Sequence, residues 1–288
     1  MNRLLRTVLA LAAAITLAVG LSGCGANASG SNAPLRVMAD VRPHAELIKK
    51  AQELGLLGDV KVEVQEISGS VDPNQLVQAG DIDANFFQHV PYLNDWNASH
   101  NANLVQVGKP VHVEPLGLYS KKVASVAATP QGAKIAIPAD PTNQGRALFL
   151  LADAGLITLN VKADDPNLNY AQVTKKNITG NPKNLSFIEI ERPQLAASLD
   201  DPQVTLSIIN GNYAIEAGLN PSTDAKAIEK SENNPYANVL VTRQELKDDP
   251  RVQKLAEALT SDKIQQYIRD TYKGSVVPYT GSVVPAKG

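Results

Sequence analysis

Cysteine is almost missing from this chain of 288 residues. The single one, Cys24, allows no intrachain disulfide, so the fold must rest on its apolar core. Aromatic side chains are scarce and aliphatic ones plentiful, the balance of an α/β protein. Neither sign of charge is in excess: the net charge is −2, which excludes the basic face that nucleic-acid binding needs. Beyond residue 21 no apolar run approaches the length of a membrane-spanning helix. The motifs GxSxG and HExxH and the phosphate-binding P-loop are absent as well. His44, His89, His100 and His112 are not spaced like metal ligands on one helix. The Asp-Asp pairs at 164–165, 200–201 and 248–249 lie in polar stretches and read as helix caps, not as acid–base machinery. No catalytic residue, metal or cofactor is therefore expected, and the chain does not read as an enzyme.

What is present begins at the N-terminus. Arg3 and Arg6 precede an apolar stretch at 7–21, too short for an ordinary span and right for a signal-peptide core. Leu21-Ser22-Gly23-Cys24 follows it and resembles a bacterial lipobox. That resemblance implies that Cys24 is diacylated and becomes the first residue of the mature protein, anchored on the extracytoplasmic face of the cell membrane. Removing the leader removes two arginines and leaves the rest near −4. Residues 25–34 are small and polar and read as a flexible tether.

From residue 35 strands and helices alternate. Strands are predicted at 35–39, around Val60, Val62 and Val64, and at 82–86, 104–107 and 116–120. Helices are predicted at 43–54 and 90–99, and a short one opens at Asp72-Pro73-Asn74-Gln75, with an acid as N-cap and Pro at the first helical position. The alternation restarts with a strand at 134–138 and a helix from Asp140-Pro141-Thr142-Asn143 to Ala154. It continues with strands at 185–190, 204–209 and 238–242, and short helices at 194–199 and 213–217. Helices at 250–259 and 262–272 close it, while 160–182 reads as a surface loop with one helical turn. The pattern predicts mostly parallel sheets covered on both faces, in two groups with a cleft between them.

Several segments resemble one family, the NlpA-type methionine-binding lipoproteins. They are Pro43-His44-Ala45-Glu46, the run from Gly80 through Phe87-Gln88-His89-Val90-Pro91-Tyr92 to Leu93, and Asp140-Pro141-Thr142-Asn143-Gln144-Gly145-Arg146. Asn181-Pro182-Lys183-Asn184, Ile209-Asn210-Gly211-Asn212-Tyr213 and Pro235-Tyr236-Ala237-Asn238 follow in the family's order. The resemblance implies a type II periplasmic-binding-protein fold: two α/β lobes with a ligand cleft between them. The expected parts are a leader at 1–23, a tether at 24–34, a first lobe from 35–122 and 236–278, a second lobe at 123–235, and a tail at 279–288. The resemblance also implies an ABC importer, with a permease and its ATPase as partners and L-methionine, a derivative or a short peptide as ligand. A receptor for another small amino-acid-like ligand, or a surface lipoprotein that mainly contacts partner proteins, stand as alternatives.

A buried zwitterion needs a cation for its carboxylate, acceptors for its ammonium and an apolar slot for its tail. Arg146 suits the first task with a two-bonded fork, near a helix start capped by Thr142 or Asn143. Asn210 stands at a strand's C-terminal end, where open α/β sheets place ligands, and Asn238 begins the late strand. By resemblance both contact the ligand, and Phe87, His89 and Tyr92 wall the side-chain slot. Many members carry an aromatic residue where this chain has Ser70, so the pocket wall there loses ring surface.

Overall fold

The computed structural model describes residues 33–68, 71–165 and 167–281. The leader, the lipobox with Cys24, Ser70 and the end of the tail lie outside the described residues.

The strands in chain order are β1 (Leu35–Ala39), β2 (Val62–Glu66), β3 (Ala84–His89), β4 (Val105–Val113), β5 (Gly117–Tyr119), β6 (Lys134–Pro138), β7 (Thr158–Leu159), β8 (Ile178–Gly180), β9 (Ser186–Ile190), β10 (Leu206–Ile209), β11 (Ala227–Ile228), β12 (Asn238–Thr242) and β13 (Val277–Pro278). The α-helices are α1 (Glu46–Glu53), α2 (Pro73–Ala79), α3 (Val90–His100), α4 (Pro141–Asp153), α5 (Gly211–Glu216), α6 (Pro221–Asp224), α7 (Pro250–Leu259) and α8 (Asp262–Tyr272).

One sheet runs β13-β4-β12-β3-β1-β2 and the other β11-β5-β10-β6-β9. Each has its own core. Leu35, Leu47, Ile48, Phe86, Leu255 and Ile268 pack in the first, and Ile135, Ile137, Leu148, Leu151, Leu206 and Ile208 in the second. The sheets are mixed, not mostly parallel as the alternation predicted. β1 is parallel to β2 and β3, and β6 to β9 and β10, but β12 runs antiparallel to β3 and β4, and β5 antiparallel to β10 and β11. The reversals fall where the chain passes between sheets, a connection that periodicity cannot register. β5 pairs in the second sheet, so the first passage lies at residues 114–116, earlier than the boundary expected after residue 122.

Local signals were obeyed with small shifts. Asp72 Oδ1 accepts from the Asn74 and Gln75 amides at 2.9 and 3.2 Å, and Gly80 closes α2 at φ 83°. α4 is capped by Asp140, not by Thr142 or Asn143: Asp140 Oδ1 accepts from the Asn143 amide at 3.0 Å. That places Arg146 in the second turn. An irregular turn over Val41–Ala45 precedes α1 and replaces the expected helix start. The helix expected at 194–199 is two 3₁₀ turns, Arg192–Gln194 and Ala197–Asp200. In α4, Gly145 lies against the Tyr170–Val173 backbone: a Cβ there would stand 2.7 Å from the Tyr170 carbonyl oxygen and 3.2 Å from that of Val173.

Asp83, just before β3, ties three strands of the first sheet. Its Oδ2 accepts from the Arg36 amide at 2.9 Å, its Oδ1 from Arg36 Nη2 at 3.0 Å, and its carbonyl from the Thr242 hydroxyl at 2.5 Å. Burial alone would raise the Asp83 pKa, but the Arg36 bonds outweigh it and hold the carboxyl below its ordinary value. Asp83→Asn is expected to cost about 1–2 kcal/mol at neutral pH, the scale of a charge-assisted bond with one part-exposed partner. Because the folded pKa is depressed, the wild-type advantage is complete above the ordinary value of about 3.9 and is lost as pH falls through the folded one. Urea unfolding of both proteins across that range measures the difference.

Candidate functional site

The C-terminal ends of the parallel strands meet between the two sheets. β1 delivers Asp40 and β3 ends at His89 on one side; β6 delivers Asp140 and α4, β9 delivers Arg192, and β10 delivers Asn210 on the other. Between them is a cavity of about 20 Å³ lined by Phe87, His89, Tyr92, Arg146, Asn210 and Asn238, that is, every described residue singled out in the sequence. Gln88, Glu114, Asn143, Arg192 and Asn212 complete the lining.

Strand register explains part of this convergence. β12 pairs Asn238 with His89 on one flank and with His112 on the other, so three polar side chains share one row at the cleft end of the first sheet. His89 is also the N-cap of α3: its Nδ1 accepts from the Tyr92 amide at 3.1 Å. The imidazole stays neutral, its pKa lowered to about 3 by burial first and by Arg146 second. The remaining proton is thus on Nε2, which faces Asn143 Oδ1 at 3.4 Å across the cleft. The same oxygen accepts from Asn210 Nδ2 at 2.8 Å. Asn210 Oδ1 is buried without a hydrogen-bond partner among the described residues.

Arg146 is buried and carries positive charge into the site. Burial lowers its pKa, but Glu229 more than compensates and the net shift is upward. The fork does not stand open for two bonds as the sequence reading expected. Nε and Nη2 hold the two oxygens of Glu229 at 2.9 and 2.6 Å, and Nη2 also donates to the Glu114 carbonyl at 2.8 Å. Nη1 is the guanidinium nitrogen left without a protein acceptor among the described residues. Glu114 and Glu229 belong to the two segments that join the sheets, so Arg146 fastens both passages.

The aromatic wall is longer than the three residues expected. Phe87 meets Tyr92 edge-on at 5.8 Å, His89 meets Tyr236 at 5.1 Å, and Tyr236 meets Tyr170 at 5.3 Å. Arg146 stacks over Tyr236 at 4.6 Å and Arg192 over Tyr92 at 5.0 Å. Arg192 also pairs with Asp140 at 3.1 Å. The Asp140 carboxyl is pushed up by burial and pulled down more strongly by Arg192 and the Asn143 amide, so it remains ionised.

Glu114 is the buried acid of the site. Its Oε2 accepts from the Asn212 amide at 3.1 Å, and Asn212 Nδ2 reaches across to Asp40 Oδ2 at 3.0 Å. Asn238 Nδ2 stands 3.4 Å from Glu114 Oε1. Burial raises the Glu114 pKa, with His44 and Arg146 opposing. The sequence reading missed Glu114, Asn143, Arg192, Asn212, Glu229 and Tyr236. Arg192 had a usable signal, two residues past a strand's C-terminal end, and Asn212 sat beside Asn210. Glu114 and Glu229 had none, because nothing local marks a crossover.

Two sheets with separate cores, joined by crossovers around a polar cleft, define the class: a two-lobed α/β fold of the periplasmic-binding-protein type. Solved structures agree. A nutrient-binding protein from Burkholderia cenocepacia bound to methionine superimposes with a TM-score of 0.77 at 38% identity, covering 85% of this chain and 99% of that one. The NlpA lipoprotein family model matches residues 35–280. The chain belongs to that family. The D-methionine-binding lipoprotein MetQ of Salmonella typhi is 38% identical over 260 residues, 90% of this chain and 93% of that protein. The methionine-binding lipoprotein MetQ of Bacillus subtilis is 36% identical over 261 residues, again 90% and 93%.

Proposed function

We propose that this protein is the substrate-binding lipoprotein of an ABC importer, held on the extracytoplasmic face of the membrane by a lipid on Cys24, and that it captures methionine or a close relative. The observation that carries this reading is the charge pattern of one cavity. Arg146, whose Nη1 has no protein acceptor among the described residues, and Asn210, whose Oδ1 is buried with no donor among them, line the same space. The first suits a carboxylate and the second an ammonium. Glu114 supplies the negative charge that a buried ammonium requires and that asparagines alone do not. Phe87, His89, Tyr92 and Tyr236 supply rings, whose edges attract a thioether by about 0.3–1.5 kcal/mol each.

A cavity of about 20 Å³ holds one or two waters, not an amino acid. Ligand entry therefore requires the lobes to part about the crossovers near Glu114 and Glu229. Ligand contacts made from both sides then favour the closed form. His89–Asn143, Asp40–Asn212 and Ser275–Asn220 are among the polar contacts that join the two sides. The closed form is the one offered to the permease.

A thermal-shift screen of the free amino acids tests the assignment. L-Methionine at 100-fold above its Kd is expected to add about 2.7 kcal/mol of stability. A shift with a different amino acid and none with methionine would move the ligand assignment. A flat response to all of them would sink the amino-acid reading.

A further inference from the structure

Spacing along the sequence gave no reason to expect a metal, yet the fold collects two of the four histidines. His44 comes from the turn before α1, His112 from β4, and Glu114 from the crossover two residues later. The Nε2 atoms of His44 and His112 stand 3.1 and 2.7 Å from one oxygen, Glu114 Oε1. One donor atom from each of the three side chains lies within 4.8 Å of the others. The two imidazoles meet at 4.9 Å between ring centroids and both rest edge-on against Phe86. All three side chains are buried.

Hydrogen bonding accounts for only part of this cluster. Only His112 Nε2 has a well-formed bond to Glu114. His44 Nε2 is buried 3.1 Å from the same carboxylate oxygen without a well-formed hydrogen bond to it. A buried nitrogen left in that state calls for an explanation, and an ion shared by the three side chains is one.

We infer that His44, His112 and Glu114 form a site for one divalent cation of the zinc type, built into the first lobe beside the cleft. The ligand chemistry sets the class. Two imidazoles and one carboxylate suit zinc and its d-block neighbours, whereas calcium and magnesium take oxygen ligands. The spacing fits. Bonds of about 2.0–2.2 Å meeting at about 90–109° hold donor atoms roughly 2.9–3.5 Å apart. The 3.1 Å separation lies in that range, the 2.7 Å one needs to widen by a few tenths of an ångström, and the donor nitrogens of the two rings lie within 4.8 Å of each other. Coordination through Nε2 uses each ring as its Nδ1–H tautomer. The proton that His112 donates to Glu114 therefore moves to Nδ1, and none is lost. Asn238, which lines the cleft, stands by the same carboxylate oxygen, so the cation would border the ligand cavity.

The test uses the full chain without a polyhistidine tag, stripped with a chelator and dialysed. Zn²⁺ is titrated by calorimetry, and Co²⁺ is followed by its visible absorption. One equivalent per chain is expected, with Co²⁺ bands typical of nitrogen and oxygen ligands. His112→Gln and Glu114→Gln should each weaken uptake at least tenfold, while His100→Ala, an exposed histidine on α3, should leave it unchanged. Circular dichroism shows whether the buried variants fold; if one does not, the wild-type stoichiometry and Co²⁺ spectrum decide. No uptake by the wild type, or uptake that the folded His112 and Glu114 variants share, overturns the site.

Discussion

Arg146→Ala is expected to remove nearly all affinity for an amino-acid ligand, by about 3–5 kcal/mol or roughly two to four decades in Kd. Two effects act together. The ligand carboxylate loses its cation in an enclosed cavity whose other guanidinium, Arg192, is already paired with Asp140. Glu229, until then held at 2.6 and 2.9 Å by the guanidinium, becomes an uncompensated anion at the edge of the site and repels the incoming carboxylate. Arg146→Lys keeps the charge but not the planar fork, so it should restore only part of the affinity. Calorimetry on variants with unchanged circular dichroism measures all three. Affinity within a few-fold of wild type in Arg146→Ala would take this residue out of the binding site.

The second large effect concerns stability. Phe86→Ala is expected to destabilise the protein by about 3–5 kcal/mol, the range for emptying a buried aromatic site. Phe86 is completely buried in the first core and supports the rings of His44 and His112 at 4.7 and 5.5 Å. Its neighbour Phe87 lies on the opposite face of β3, because successive side chains of a strand alternate. Phe87 is part of the cavity wall and outside the core clusters. Phe87→Ala should therefore cost less stability and more affinity. Guanidinium unfolding should show a lower midpoint for Phe86→Ala at unchanged slope. Equal losses from both substitutions would contradict this division of the strand.

That pair also indicates what can be read from sequence. The strand carrying Phe86 and Phe87 and the capping pattern at Asp72 were legible because they are local: side-chain period and orphaned helix amides act within a few residues. The two groups of alternating elements were legible for the same reason. The order of strands within each sheet was not. β12 inserts between β3 and β4 only after more than a hundred intervening residues, and no pattern in Asn238-Val239-Leu240-Val241-Thr242 states its neighbours. The site followed the same rule. Arg146, Asn210 and Asn238 could be picked from short motifs and strand ends. Glu229, which decides how much of the Arg146 fork is available, lies 83 residues from it and is found only through the fold. The histidine cluster was missed because ligand spacing was sought along one helix, while His44, in the turn before α1, and His112, on β4, meet only through the fold.

Gly145 bears on how tightly the position of the guanidinium is set. With no side chain at that point, the middle of α4 rests directly on the peptide groups of Tyr170 and Val173. Even a methyl group would meet a carbonyl oxygen that cannot rotate out of its way. An alanine at 145 would have to tilt or slide the whole helix, carrying the next residue's charge away from Tyr236 and Glu229. The reach of the cation into the crevice is thus calibrated by a missing atom, one residue upstream and on the far side of the helix from any solute.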